Sequence, residues 1–458
     1  MSGSPKLLSP APPTVRFSGL SQEASPPTRK LAAALTLAFV AVLVLLASAG
    51  CGLLSRDAQE VVVIPPKPVG LTAGFDLGSG VQPLSFGPGD KSSPRVNPSG
   101  DRVAFILDGY VVEKPLQAQD FHYRTASDFS AESAEWLPDG SMAVFSKNET
   151  KTQGADTMPV PSSLFVARSD DSSNVDKFAE RIGAAGAAPG SQAVFAAVVT
   201  SPTMESSEES LSSRLMLLWG SEEPVRAYLG DTEGYVTGLS VSPDGSQLVL
   251  AVRYDTDDIG SQSSEGRGTS RSEIQVYQFS EGRARRVARL PEGIEILGAP
   301  QWTPRGVHFV AGKAGPAEAA RNGDLTPHAL YRVPEGSDTP EPVRSVGEDF
   351  VAASISVSPD GGRLAVVGRR NPSSPTNLYV LDLASDVLEA ATSNRNMEIK
   401  TNPRDLAWFP DGRSVVLVAR GAFSGPEVYD APAKSLSSAF YNLYEVPVGE
   451  RSGKGSEG

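Results

Sequence analysis

A short motif, in which polar turn residues precede an apolar and β-branched run, recurs along the chain. Each copy has a strand-like segment that ends near a proline, a turn that contains glycine, and a run dominated by Val, Ala, Leu and Phe. Successive prolines are 40 to 61 residues apart, and such self-similarity predicts a repeat architecture. The copies are VNPSGDRVAFIL (96–107), WLPDGSMAVFS (136–146), AAPGSQAVFAAVV (187–199), VSPDGSQLVLAV (241–252), WTPRGVHFVAG (302–312), VSPDGGRLAVVG (357–368) and WFPDGRSVVLVA (408–419).

The turn residues of the motif explain why it joins two antiparallel strands. Proline presets φ for the first central position of a type I turn, aspartate suits the next position, and glycine accepts the left-handed conformation that follows. This combination is a common hairpin connection. We therefore interpret these residues as structural turns and not as catalytic aspartates. They are Pro138, Asp139, Gly140, Pro243, Asp244, Gly245, Pro359, Asp360, Gly361, Pro410, Asp411 and Gly412.

A third and a fourth strand follow each hairpin. NLYVLDL (377–383) and NLYEVPV (442–448) illustrate the third strand, and RRVARL (285–290) illustrates the weaker fourth strand. Four strands in a repeat of this length are typical of a β-propeller blade. The last repeat lacks a fourth strand, whereas VQPLSF (81–86) precedes the first repeat as a strand without a blade. The sequence predicts an all-β fold with one propeller of seven four-stranded blades, closed by 81–86; six or eight blades are the alternatives.

The repeats resemble the TolB-like family of β-propellers, whose blades carry a W-S-P-D-G-x-x-I-A-F type signature. Trp136, Trp302 and Trp408 occupy the aromatic position before three turns, and Val103-Ala104-Phe105 matches the apolar position after another. The resemblance covers about 80–448. It implies an envelope protein that works by binding partners, as TolB and the LpqB-type lipoproteins do. Propeller peptidases share such repeats, but they need a G-x-S-x-G nucleophile elbow that this sequence lacks.

An apolar segment precedes the repeats and predicts a membrane attachment. Residues 31–50 contain no charge and follow Arg29 and Lys30, so the segment is long enough to span a bilayer with the basic pair on the cytoplasmic side. Small residues then lead into Cys51, which resembles a bacterial lipoprotein signal with a lipid on that cysteine. An uncleaved single-pass anchor is the alternative, because Ser48 and the long stretch before Arg29 depart from the lipoprotein pattern.

The predicted organisation has five parts: a disordered Pro/Ser-rich segment (1–30), a signal or transmembrane helix (31–50), a linker (51–80), the propeller (81–448) and a disordered tail (449–458).

Composition excludes several classes of function. The formal net charge is −13, although residues 1–51 are basic, so the rest of the chain repels nucleic acid. Cys51 is the single cysteine, which excludes an intramolecular disulfide framework and a cysteine zinc site. His122, His308 and His328 are far apart in sequence, so we expect no metal site and no cofactor.

Long polar connections between second and third strands are predicted on the face opposite the Pro-Asp-Gly turns. Insertions on one face of a repeat array often mark a binding face, although such loops are also tolerated without a function. Asp255, Asp257 and Asp258 fall in one of them and indicate a solvated acidic loop more than a calcium site. The connections are 147–162, 200–213, 254–273, 312–328 and 420–439.

The sequence therefore predicts a membrane-tethered, extracytoplasmic propeller that is not an enzyme and presents its loop-rich face to a protein or envelope ligand. One alternative is an enzyme, a lyase or hydrolase, that acts on an envelope or extracellular polysaccharide at a central-channel site. Another is a sensor or structural ectodomain that signals through residues 1–28. Histidine, arginine and carboxylates converging on the channel favour the enzyme, whereas small and apolar lining residues favour the platform.

Overall fold

The computed structural model describes residues 77–85, 89–118, 120–125, 129–146, 162–168, 175–187, 193–200, 212–219, 225–256, 269–313, 328–394, 397–421 and 440–449. The chain divides into two compact units, Met1–Val62 and Val63–Gly458, and the described residues all belong to the second. The predicted membrane segment 31–50 and Cys51 lie outside them. Within the described ranges, no helix has the length and apolar character needed to cross a membrane.

The described part of the chain consists of antiparallel strands, which confirms the all-β prediction. Short β1 (Gln82–Pro83) precedes the first four-stranded sheet. That sheet contains β2 (Lys91–Val96), β3 (Arg102–Leu107), β4 (Tyr110–Pro115) and β5 (His122–Tyr123). A seven-stranded sheet follows, with β6 (Ala131–Trp136), β7 (Met142–Ser146), β8 (Ser162–Ala167), β9 (Val175–Ala187), β10 (Ala193–Thr200), β11 (Ser212–Trp219) and β12 (Val225–Glu233).

Three further four-stranded sheets and one closing sheet complete the fold. They contain β13 (Tyr235–Val241), β14 (Gln247–Thr256), β15 (Thr269–Gln278) and β16 (Arg283–Arg289); β17 (Ile294–Thr303), β18 (Gly306–Lys313), β19 (His328–Val333) and β20 (Glu341–Pro342); the 3₁₀ turn Arg344–Val346; β21 (Val351–Val357), β22 (Arg363–Arg369), β23 (Asn377–Asp382) and β24 (Val387–Ala390); and β25 (Met397–Ile399), β26 (Leu406–Trp408), β27 (Ser414–Gly421) and β28 (Asn442–Pro447).

The second and third repeats differ from the prediction because they share a strand. The first part of β9 pairs with β8, where Ala167 faces Val175, and its last part pairs with β10, where Val194 faces Ala187. One long strand thus serves as the outer strand of one repeat and the first strand of the next. The sequence predicts separate strands for the two repeats and contains no signal that one strand continues through both.

The first strands of the repeats contact each other in a closed cycle. The order is β2, β6, β9, β13, β17, β21, β26 and back to β2. The closing sheet takes its outer strand from the start of the described chain, since Gln82 pairs with Glu445 and Pro83 with Tyr444. Residues 82–83 therefore hold the first and last repeats together, as expected of the segment 81–86.

Apolar side chains fill the junctions between successive sheets. At the junction that closes the cycle, Val103 and Phe105 of β3 pack with Val416 and Val418 of β27, and all four are fully buried. Side chains in a strand alternate between its two faces, so a strand buried on both faces reads as a continuous apolar run. This is why the run after each turn contains so few polar residues.

Two of the three tryptophans that precede a turn join neighbouring sheets. The indole Nε1 of Trp136 donates to the carbonyl oxygen of Arg95, 3.0 Å away on the preceding first strand. Trp408 does the same with Ser356 at 2.8 Å. The motif thus encodes both a hairpin and a contact between repeats.

Candidate functional site

The Pro-Asp-Gly residues lie in tight turns between first and second strands. Gly140 has a φ of +82° and its N–H donates to the carbonyl oxygen of Leu137 at 3.0 Å. The Asp139 carboxylate accepts from the N–H of Ser141 at 2.9 Å. Asp244, Asp360 and Asp411 accept equivalent bonds from the residue two positions later. In each case the aspartate is engaged in holding its own turn.

A central channel of about 1390 Å³ runs along the first strands. Near its start, each first strand contains one or more extra residues that have no counterpart in its pairing with the second strand. Such bulges re-aim side chains and often lie beside binding sites. At least one inserted residue lines the channel in every repeat except that of Ala353. The inserted residues are 93–94, 132, 183, 237, 298–300, 353 and 400–405.

The two sides of the channel differ in chemistry. The third, fourth and fifth repeats present small and apolar residues, including the segment 183–187 (GAAGA), Gly238 and Ala299. The first, second and last repeats present charged residues. Arg95 forms an ion pair with Glu135 (Nε to Oε1, 2.6 Å), and Arg404 forms one with Glu132 (Nη1 to Oε2, 3.7 Å).

The six residues between β25 and β26 reach into the channel. A Cβ built on Gly298 would lie 2.5 Å from Cβ of Pro403, so this segment touches β17, which is not its neighbour in the cycle of first strands. On the other side, Nη1 of Arg95 donates to the carbonyl oxygen of Arg404 at 3.0 Å. The segment 400–405 therefore narrows the channel and connects repeats that are otherwise apart.

Asp405 anchors this segment to the first repeat. Its Oδ1 accepts from the backbone N–H of Ser93 at 2.6 Å, and Ser93 has a φ of +49° in the bulge of β2. Only 2% of Asp405 is exposed. Burial raises the pKa of its carboxyl, although Lys400 and other nearby cations act in the opposite direction. The bond thus fixes a strained backbone position across the closing junction.

We expect the hydrogen bond of Asp405, rather than its charge, to stabilise the fold. D405A leaves the buried Ser93 N–H without its acceptor, which costs about 2 kcal/mol of unfolding free energy. D405N keeps an acceptor oxygen and removes a desolvated charge, so it should cost less than D405A at neutral pH. Urea unfolding of both variants measures the difference. Equal losses would contradict the assignment.

A cluster around Tyr441 lies at the channel end opposite the turns, where β27 ends and β28 begins. The ring of Tyr441 has Lys400 Nζ 4.7 Å and Arg420 Cζ 4.5 Å from its centroid. Its hydroxyl donates to Glu398, which also pairs with Arg420 (Nη2 to Oε2, 2.7 Å). Burial and the bond to Glu398 raise the pKa of Tyr441. Contacts between the two cations and the aromatic ring hold these side chains in place, so the cluster forms an ordered polar rim at this end of the channel.

Lys91 is a fully buried cation behind this rim. Its Nζ donates to the carbonyl oxygen of Gly89 at 2.9 Å, and its own carbonyl oxygen accepts from Lys400 Nζ at 3.2 Å. Burial lowers the pKa of Lys91 to about 8.

The histidines are not brought together. His308 is buried on β18 with Nδ1 3.1 Å from Thr303 Oγ1, and burial lowers its pKa to about 4. His328 begins β19 and His122 is exposed on β5, and none of the three lines the channel. Asp257 and Asp258 lie outside the described residues, and Asp255 is placed only as part of β14.

The long connections between second and third strands are shorter than predicted. Strands extend into all five of them, since β8 begins at Ser162, β14 continues to Thr256, β15 begins at Thr269, β18 ends at Lys313 and β27 ends at Gly421. Strand β11 likewise begins at Ser212. The remaining parts of these connections lie outside the described residues.

Comparison with known proteins identifies the fold. No protein-family model matches the chain, and no curated protein matches it in sequence. An oligogalacturonate lyase from Vibrio parahaemolyticus has a similar structure, with 11% identity, coverage of 82% of this chain and 96% of that chain, and a TM-score of 0.52. An oligogalacturonate lyase in complex with manganese matches over the same shares, at 12% identity and a TM-score of 0.50.

The chain is a β-propeller. TolB from Acinetobacter baumannii is also similar, at 14% identity over 80% of this chain and 78% of that chain, with a TM-score of 0.38. The propeller predicted from the TolB-like repeats is confirmed as a fold, and identity this low extends the likeness no further. The described part of the propeller holds no group of three His, Cys, Asp or Glu side chains placed for a metal ion.

Sequence reasoning missed the channel residues themselves. Glycines within first strands, such as Gly183, Gly238 and Gly298, were the available signal, because a glycine inside a strand often marks a bulge or a close backbone approach. A Cβ on Gly238 would lie 2.5 Å from the carbonyl oxygen of Gly298.

Proposed function

We propose that the chain is a seven-bladed propeller, tethered to the membrane through residues 31–50 or a lipid on Cys51, that binds a protein or envelope ligand on the extracytoplasmic side. The count of seven is supported by the cycle of first strands, in which β9 serves two blades. A mature chain that begins at Cys51, seen by mass spectrometry of the membrane fraction, would favour the lipoprotein over the uncleaved anchor. It would also exclude a sensor that signals through residues 1–28.

The two-sided channel carries the binding proposal. One wall of small and apolar residues leaves room for a ligand, and the opposite wall supplies paired charges that can orient it. The Tyr441 cluster adds an ordered polar rim at the end where the predicted loop-rich face lies. The charged lining residues Arg95 and Arg404 already hold Glu135 and Glu132, which suits recognition by a fixed surface.

An enzyme that acts on an acidic polysaccharide is the second candidate. It is favoured by arginines that line the channel and by the fold shared with two oligogalacturonate lyases. Against it stands the pairing of these arginines with carboxylates, which leaves less positive charge for a uronate. An assay of the purified full-length protein for lyase products from oligogalacturonate tests this candidate directly. Turnover would overturn the platform proposal.

Site-specific photo-cross-linking in cells tests the binding site. A photoreactive residue at Thr237, which is exposed within the channel, should give one discrete adduct. The matched control is Val387 on β24, which is 47% exposed but lies on an outer strand. Adducts at neither position, or the same adducts at both, would contradict binding in the channel.

A further inference from the structure

An arginine-rich strand, β16, forms the outer edge of the sheet that contains β13 to β16. Strand β16 has the sequence RARRVAR, and its four arginines are exposed although the protein as a whole carries a formal charge of −13. We name these arginines the basic edge. Because β16 is the last strand of its sheet, side chains on both of its faces reach the rim. They are Arg283, Arg285, Arg286 and Arg289.

Local carboxylates do not neutralise the basic edge. Glu273 is 96% buried at its side chain, with Arg289 Nε at 3.0 Å and Arg286 Nη1 at 3.6 Å, and it is shared with a third arginine, Arg271, at 3.5 Å. Arg283 pairs with the exposed Glu281 at 3.1 Å. Among the described residues, these ion pairs set two glutamates against the five arginines of β15 and β16. A shared buried carboxylate fixes the direction of the guanidinium groups and leaves their outward N–H donors available.

An exposed aromatic side chain lies beside the basic edge. Tyr228 is 58% exposed on β12, the outer strand of the neighbouring repeat, which contacts β16. The guanidinium of Arg214 lies 5.5 Å from the centroid of its ring, and its hydroxyl donates to Asp231 at 2.8 Å. Tyrosine and arginine together are the side chains that suit the boundary between lipid headgroups and water.

We propose that the basic edge docks on anionic lipid headgroups of the membrane to which the chain is tethered. The phosphate of such a lipid offers acceptors for the outward guanidinium donors, and the acidic remainder of the propeller is repelled by the same surface. Docking through one edge therefore orients the propeller with β16 against the bilayer. This inference rests on the proposed membrane tether.

Hydrogen–deuterium exchange on the full-length protein in nanodiscs tests the docking. The discs contain phosphatidylcholine alone or phosphatidylcholine with phosphatidylglycerol. We expect amides of residues 283–289 to exchange about tenfold more slowly on the anionic discs, because several arginines contact the surface together. High salt should remove the difference, since it screens charges at this distance. The variant R283E/R285E, whose arginines do not contact Glu273, should also remove it.

A matched variant and three contrary outcomes complete the test. R344E/R413E makes the same change in charge at two exposed positions outside this sheet, in the 3₁₀ turn and in the turn before β27, and should retain the slowing. Equal exchange on both discs, with the protein incorporated in both, would overturn the docking while leaving the tether intact. Failure to incorporate in either disc would instead overturn the tether, and the docking with it. Protection by soluble polyphosphate on neutral discs would show a polyanion site rather than a membrane surface.

Discussion

Replacing Gly298 with alanine is expected to lower the free energy of unfolding by about 3 kcal/mol, because two costs add. Gly298 has a φ of +69°, which an L residue with a side chain adopts at a cost, and the new methyl group would lie 2.5 Å from Cβ of Pro403. The segment 400–405 would have to leave its place in the channel. Urea denaturation measures the loss.

Gly282 provides the matched control for this substitution. Its φ is +64°, and a Cβ added there meets nothing within 4 Å. G282A should therefore show only the conformational cost, about 1 kcal/mol. Equal losses in G282A and G298A would contradict the contact between the two repeats across the channel.

The stability of the propeller is expected to fall by about 3 kcal/mol as the pH drops from about 6.5 to about 4, through His308 alone. Burial, and secondarily the positive charges of Arg332 and Arg305, hold the pKa of His308 down to about 4, while Asp386 acts the other way. The unfolded chain takes up a proton at its ordinary pKa, so it binds more protons than the folded chain in this window. The contribution of His308 to stability therefore rises with pH across the window and is constant above it.

Two glutamine variants separate this effect from general acid denaturation. H308Q should lose about 3 kcal/mol less than the native protein over the same pH window, whatever its stability at neutral pH. H122Q, which makes the same substitution at the exposed histidine of β5, is the matched variant with which H308Q is compared. Denaturant midpoints at several pH values provide the measurement. An unchanged slope in H308Q would show that His308 does not titrate with a lowered pKa.

The repeats of the propeller were predictable because local chemistry specifies them. Each turn that the structure describes combines proline with a glycine of positive φ, as at Gly245 and Gly412, and the second strands are apolar runs buried on both faces, as in β22 and β27. The pairing of 82–83 with the last strand could also be anticipated, since the last repeat lacks a fourth strand and the predicted strand before the first repeat belongs to no blade.

The residues that line the channel were not predictable, because local sequence does not specify them. Ser93, Glu132 and Thr237 occupy equivalent bulges but share neither size nor polarity, so the sequence marks only the bulges that contain a glycine, such as those of Gly183 and Gly298. Their surroundings depend on contacts hundreds of residues apart, such as that between Ser93 and Asp405. The continuity of β9 through two repeats was missed likewise, because strand propensity does not show where one sheet ends.

The bulges of the first strands have a consequence for how such a protein can diverge. An inserted residue lies outside the ladder that joins the first and second strands, whereas its flanking residues remain within it. Substitutions at positions such as Thr237 can therefore change the chemistry of the channel lining with little effect on the junctions that hold the sheets. A lineage of such proteins could acquire new ligands one position at a time, while the turns and apolar runs stay recognisable as repeats.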